Sequence, residues 1–116
     1  MEKLKALITG IAVIAGTARL AGAHPPTQVS LNYDAATATL TAQVHHAVKD
    51  ENAHFIGDVV VSVNGMETVT QVFPKQTDKQ KQLAVYLLPG LKPGDEITVE
   101  TECNRIGKKK AALKIK

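Results

Sequence analysis

From Thr27 onward the chain alternates apolar and polar residues with a period of two. In "TQVSLNY" the apolar positions are Val29, Leu31 and Tyr33, and in "ATLTAQV" they are Leu40, Ala42 and Val44. Both segments read as half-buried strands. The intervening "DAAT" puts Asp34 at a tight turn, which predicts a first hairpin. "FIGDVVVSV" is β-branched and ends at Asn64-Gly65, a pair suited to positive φ, and "METVTQVF" follows as its return strand. "QLAVYLL" predicts a fifth strand, the double turn signal "PGLKPGD" ends it, and "EITVETEC" sets Ile97, Val99, Thr101 and Cys103 in one phase. "AALKIK" closes the chain. Seven short strands without a sustained helical period predict an all-β fold, an antiparallel seven-stranded immunoglobulin-like β-sandwich. The paired cysteines and tryptophan of antibody domains are missing.

The first 23 residues, "MEKLKALITGIAVIAGTARLAGA", follow a different pattern. A charged start, an apolar run from about Ala6 to Ala18 and the triplet Ala21-Gly22-Ala23 have the anatomy of a secretory signal peptide. Gly10, Gly16, Thr17 and Arg19 keep the uninterrupted apolar run well short of the roughly 20 residues that span a bilayer. The expectation is therefore a signal peptide at 1–23, cleavage after Ala23, export to a periplasmic or extracellular compartment, and no stable membrane anchor afterwards. One domain would remain at 24–116, with His24 as its first residue.

This leader changes the meaning of the charge. The whole chain has 14 basic and 11 acidic residues, and removing Lys3, Lys5, Arg19 and Glu2 leaves 11 against 10. A nucleic-acid partner loses its main support. Arg105 with Lys108, Lys109 and Lys110 remains as a basic cluster around a glycine turn, ordinarily a solvated loop and alternatively a rim that steers small anions. Cys103 is the one cysteine, so it is buried, paired between chains, or used in chemistry.

Candidate chemistry rests on imidazole and thiol groups, the side chains that hold iron, copper and zinc: His24, His45, His46, His54 and Cys103. Three of the histidines lie in "VHHAVKDENAHFI". The spacing lacks the i, i+4 geometry of a helical zinc site, and one cysteine cannot make a zinc finger. His45 and His46 are adjacent on a strand and point to opposite faces, so only one of them serves a given mononuclear site. A histidine in "KDENAH" is ordinarily exposed, and a cysteine in phase with Ile97 and Val99 is ordinarily core. A free amine beside the His24 imidazole would chelate copper, although Pro25 and Pro26 have no N–H to offer.

Taken in order, "HPP" before the first strand, "HAV" and "HFI" at the two ends of a loop, and "CNRIG" near the end resemble the iron domain of the superoxide reductase family, the desulfoferrodoxins and neelaredoxins. The likeness spans most of 24–116. It implies an immunoglobulin-like sandwich with a mononuclear non-haem iron, bound by His24, His46, His54 and an axial Cys103 thiolate. It also implies reduction of superoxide to peroxide, with a separate electron-donor protein. Lys49, or Lys108 to Lys110, would attract the small anion.

The chain departs from the family pattern in four places, one being that the family's Glu-Lys before its functional histidine is not reproduced before His24 or His54, although Lys49 and Glu51 lie in the loop. Ile106 stands where the pattern has a fourth imidazole, Ala47 replaces the proline after the loop-opening histidine, and seven residues separate His46 from His54. Three imidazoles and a thiolate also suit copper or zinc. The alternatives are a copper- or iron-binding domain without turnover and a metal-free accessory sandwich that has lost the activity.

Overall fold

The structure, a computed structural model, describes residues 24–116. The signal-peptide reading of 1–23 lies outside the described residues. Seven strands follow in chain order: β1 (Gln28–Asp34), β2 (Thr39–His45), β3 (Ile56–Val63), β4 (Met66–Val72), β5 (Lys81–Leu87), β6 (Glu96–Cys103) and β7 (Lys108–Lys114). They form two antiparallel sheets, β1-β2-β5 and β4-β3-β6-β7. The predicted antiparallel sandwich is therefore the observed fold. Among the described residues no helix is long and apolar enough to cross a membrane.

The period-two pattern places the core between the sheets. Leu40, Ala42 and Val44 of β2 and Ala84 and Tyr86 of β5 face Val59 and Val61 of β3 and Ile97 and Val99 of β6. Cys103 continues the inward phase of β6 and is 3% exposed. Both predicted hairpins are present. Ala36 N–H bonds to Asp34 Oδ1 in the first, and Asn64 and Gly65 carry φ of 51° and 84° in the second, as a turn matched to strand twist requires.

Two departures from simple alternation matter for the site. Ile56 pairs with Cys103 and Asp58 with Glu102, so Gly57 is an extra residue in β3. This bulge lets Ile56 and Val59, three residues apart, both face inward, and it bends β3 just after His54. β7 also starts three residues earlier than "AALKIK" suggests. Lys108, Lys109 and Lys110 are strand residues, with Lys108 opposite Glu102 and Lys110 opposite Glu100, rather than a solvated loop. Cross-strand charge pairing favours that register, and lysines suit an edge strand because they discourage pairing with another chain.

The inward and outward faces differ sharply in what they tolerate. Leu40→Ala, at a position with no exposure, is expected to cost about 2–5 kcal/mol of stability. Leu87→Ala, at 72% exposure on the outer face, is expected to stay within about 0.5 kcal/mol. Urea unfolding of the two variants checks this, and equal midpoints would contradict the placement of the core.

Candidate metal centre

Strands that alternate in direction bring the segments before β1, β3, β5 and β7 to one end of the sandwich. Four connections meet there: the segment 24–27, the β2–β3 loop, the β4–β5 loop and the β6–β7 turn. Backbone hydrogen bonds tie them together, from Thr27 N–H to His45 O, His46 N–H to Gln80 O, Val48 N–H to Lys79 O, and Gln76 N–H to Glu51 O.

Within the β2–β3 loop, Asp50 organises the approach to His54. Its Oδ1 takes the Asn52 N–H, and its backbone oxygen takes the N–H groups of Ala53 and His54. Asn104 then fastens the loop to the end of β6. Its Oδ1 accepts from Phe55 N–H at 2.9 Å, its Nδ2 donates to Ala53 O at 3.1 Å, and its own N–H donates to Phe55 O.

These constraints bring His24, His46 and His54 together, with one ring nitrogen from each lying within 4.8 Å of the others. The ring centroids are 4.8 Å apart for His24–His46 and for His46–His54, and 5.4 Å for His24–His54. A tetrahedral ion with Zn–N distances near 2.0 Å holds its nitrogens about 3.3 Å apart, so the cluster is slightly wider than a loaded set and closes by small side-chain movements. Three nearby histidines could therefore hold a metal ion.

Each ring has a distinct environment. His46 is fully buried, with Nδ1 2.8 Å from Gln76 Oε1 and Nε2 3.1 Å from His24 O. The two nitrogens of half-buried His24 lie 2.9 Å from the carbonyl oxygens of Pro25 and Ala47. A neutral ring can donate to only one of two acceptors, so one nitrogen is left with its lone pair. His54 is 5% exposed, and its buried Nε2 has no hydrogen-bond partner. An orphaned, buried nitrogen on an imidazole whose ring packs beside two others fits a metal ligand.

Electrostatics favour the neutral, ligating form of His54. Burial is the largest cause lowering its pKa to about 4, followed by repulsion from His46, Arg105 and His24. The site opens to a cleft of about 590 Å³ lined by His24, Ala47, Val48, Lys49, Asp50, His54 and Arg105. The cations on this lining are Lys49 and Arg105. Lys108 to Lys110, expected as a possible rim, stand on β7 instead.

The other sequence candidates separate from the cluster. His45 ends β2 in the phase opposite to Val44 and is half-buried, apart from the three-imidazole group. Cys103 Sγ is also outside that group, and Arg105 N–H approaches the sulfur at 3.4 Å. Ile106, at the position of the expected fourth imidazole, is 48% exposed.

Sequence reasoning missed Gln76, Asn104 and the structural role of Gly107. Nothing in "FPKQTDKQ" marks Gln76 as fully buried. Gly107 has φ of 103°, and a Cβ there would fall 2.4 Å from Pro25 Cβ and 2.6 Å from its Cα. Its glycine allows the β6–β7 turn to pack against the residue that follows His24.

Comparison of the chain with protein-family models, with curated proteins and with solved structures finds no match in any of the three.

Two predictions follow from this geometry. In metal-free protein, the unfolded chain protonates His54 near pH 6.5 and the folded chain near pH 4, so the unfolded state binds more protons between them. Stability is thus fully present above about pH 6.5 and falls as the pH drops toward 4. His54→Gln should flatten unfolding free energy against pH over that window, and an unchanged slope would contradict the assignment. Separately, Gly107→Ala should push Pro25 and His24 away, weakening Zn²⁺ binding in calorimetry about tenfold or more while the sandwich stays folded. Unaltered affinity would show that His24 does not depend on this contact.

Proposed function

We propose that the protein is a mononuclear metal protein of superoxide reductase type, with iron held by His24, His46 and His54 at the end of the sandwich. The observation that carries this reading is the convergence of three imidazoles, one with an orphaned buried nitrogen, at the mouth of a cleft lined by Lys49 and Arg105. Three protein nitrogens leave coordination positions open, as a site that reacts with a small molecule requires. The order of "HPP", "HAV", "HFI" and "CNRIG" supports iron and superoxide over other pairings of metal and substrate.

Iron would supply one electron to superoxide, and with two protons the product is hydrogen peroxide. An external electron-donor protein would restore the reduced state. Around that chemistry the chain's own groups have separate tasks. Lys49 and Arg105 draw the anion into the cleft and help to orient it. Desolvation keeps His54 uncharged and able to ligate. Cys103 would supply a thiolate to the iron in this reading, and the Arg105 N–H, 3.4 Å from the sulfur, would temper its charge.

The exclusion of Cys103 from the imidazole group favours a second reading, in which the three nitrogens bind copper or zinc without turnover and the cysteine is plain core. One experiment separates the two. Protein purified without a chelating tag is loaded anaerobically with Fe²⁺ and assayed for stoichiometric peroxide formation from superoxide. The superoxide reductase reading predicts one iron per chain, loss of binding in His46→Ala and His54→Ala, and a visible thiolate-to-iron band that Cys103→Ser abolishes. It also predicts that Arg105→Ala slows the reaction severalfold at low salt and little at high salt. Stable Cu²⁺ or Zn²⁺ binding without peroxide formation would favour the second reading, and failure to retain any metal after reloading would contradict both.

A further inference from the structure

The three metal-facing rings are held by unequal means, and His46 is the one fixed by a side chain from another loop. Gln76, in the β4–β5 connection, has no exposure, and its amide makes four hydrogen bonds. Nε2 donates to His46 O at 2.7 Å and to Asp78 O at 2.9 Å. Oε1 accepts from Ile56 N–H at 3.2 Å and lies 2.8 Å from His46 Nδ1. Three of these partners are backbone groups whose polarity cannot change. Turning the amide over would set its oxygen against two carbonyls and its NH₂ against an N–H, losing three buried bonds and leaving each partner unsatisfied. The orientation of the amide is therefore determined by the backbone around it.

That orientation decides the chemistry of His46. Two oxygen acceptors flank the ring, Gln76 Oε1 at Nδ1 and His24 O at Nε2, and a neutral imidazole donates to one of them. Oε1 is nearer, at 2.8 Å, and is fixed by the Ile56 N–H and by the two bonds of its own amide nitrogen, whereas His24 O lies at 3.1 Å. The proton belongs on Nδ1, and the Nε2 lone pair is left facing His24. A cation at Nε2 would relieve this opposition of two acceptors.

We propose that Gln76 is the positioning residue of the metal centre, locking His46 as the Nδ1–H tautomer so that Nε2 is the ligating nitrogen. The bond from Gln76 Nε2 to His46 O makes this a two-point clasp, holding the backbone and the ring of one residue together. Such outer partners typically fix the tautomer and raise ligand basicity. The role in metal binding rests on the three-imidazole reading above, whereas the tautomer lock is a property of the metal-free protein and is tested without metal.

Long-range ¹H–¹⁵N correlation spectra of metal-free, ¹⁵N-labelled protein at pH 8 give the tautomer of His46 directly. The lock predicts a protonated Nδ1 and a bare Nε2 in the native sequence, and a protonated Nε2 overturns it whether or not metal binds. Gln76→Met removes the acceptor with little change in volume. It should mix the two tautomers and lower affinity for Zn²⁺, used as the probe, by about 10–100-fold. A folded Gln76→Met variant with the native tautomer and native Zn²⁺ affinity would also overturn the proposal. Finding the Nδ1–H form in native protein that takes up no metal would sink the metal centre and uphold the lock.

Discussion

Burying imidazoles at the end of an apolar sandwich is the constraint on which the site depends. His46 is fully buried and His54 nearly so, and a buried polar ring is costly unless its nitrogens find partners. The chain meets that cost unevenly. His46 is satisfied through Gln76, whose amide also bonds Ile56 at the head of β3 and Asp78 before β5. His54 is held by its backbone through Asp50 and the Asn104 clasp, with Nε2 left unsatisfied. The two rings are thus fixed in place while at least one lone pair remains available, which is the condition for a preorganised ligand set.

The fold supplies this arrangement by simple means. Antiparallel strands return the chain repeatedly to the same end, so residues far apart in sequence meet there. The Gly57 bulge bends the start of β3, and Gly107 lets the β6–β7 turn lie against Pro25. The packed core between the sheets fixes the strand ends. Loop-to-loop hydrogen bonds then carry that rigidity outward to the imidazoles.

The strands were legible in the sequence because one face of each sheet is buried, and burial imposes a period of two that turn residues such as Asn64-Gly65 interrupt. β7 is longer than its apolar pattern suggests because its first three residues are exposed lysines, placed in the strand by pairing with β6 opposite Glu102, Thr101 and Glu100 rather than by burial. His24, His46 and His54 were legible as a set, and strand alternation separated His46 from His45. The cleft's second cation, Arg105, was seen only as part of a basic cluster. Gln76 left no local signal, since its burial comes from tertiary contacts across a polar segment. The close approach of Gly107 to Pro25 was equally invisible, because the two residues are brought together only by folding.

The central claim is that three imidazoles, His24 before β1 and His46 and His54 at the two ends of the β2–β3 loop, form one metal centre. Anomalous diffraction from crystals of the metal-loaded protein tests it most directly. The account predicts a single peak per chain, about 2.0–2.2 Å from one ring nitrogen of each of His24, His46 and His54, with Nε2 as the ligating atom of His46. A metal bound elsewhere on the chain, with the His46 ring still on Gln76 and the His24 ring still on the Pro25 and Ala47 carbonyls, would contradict it.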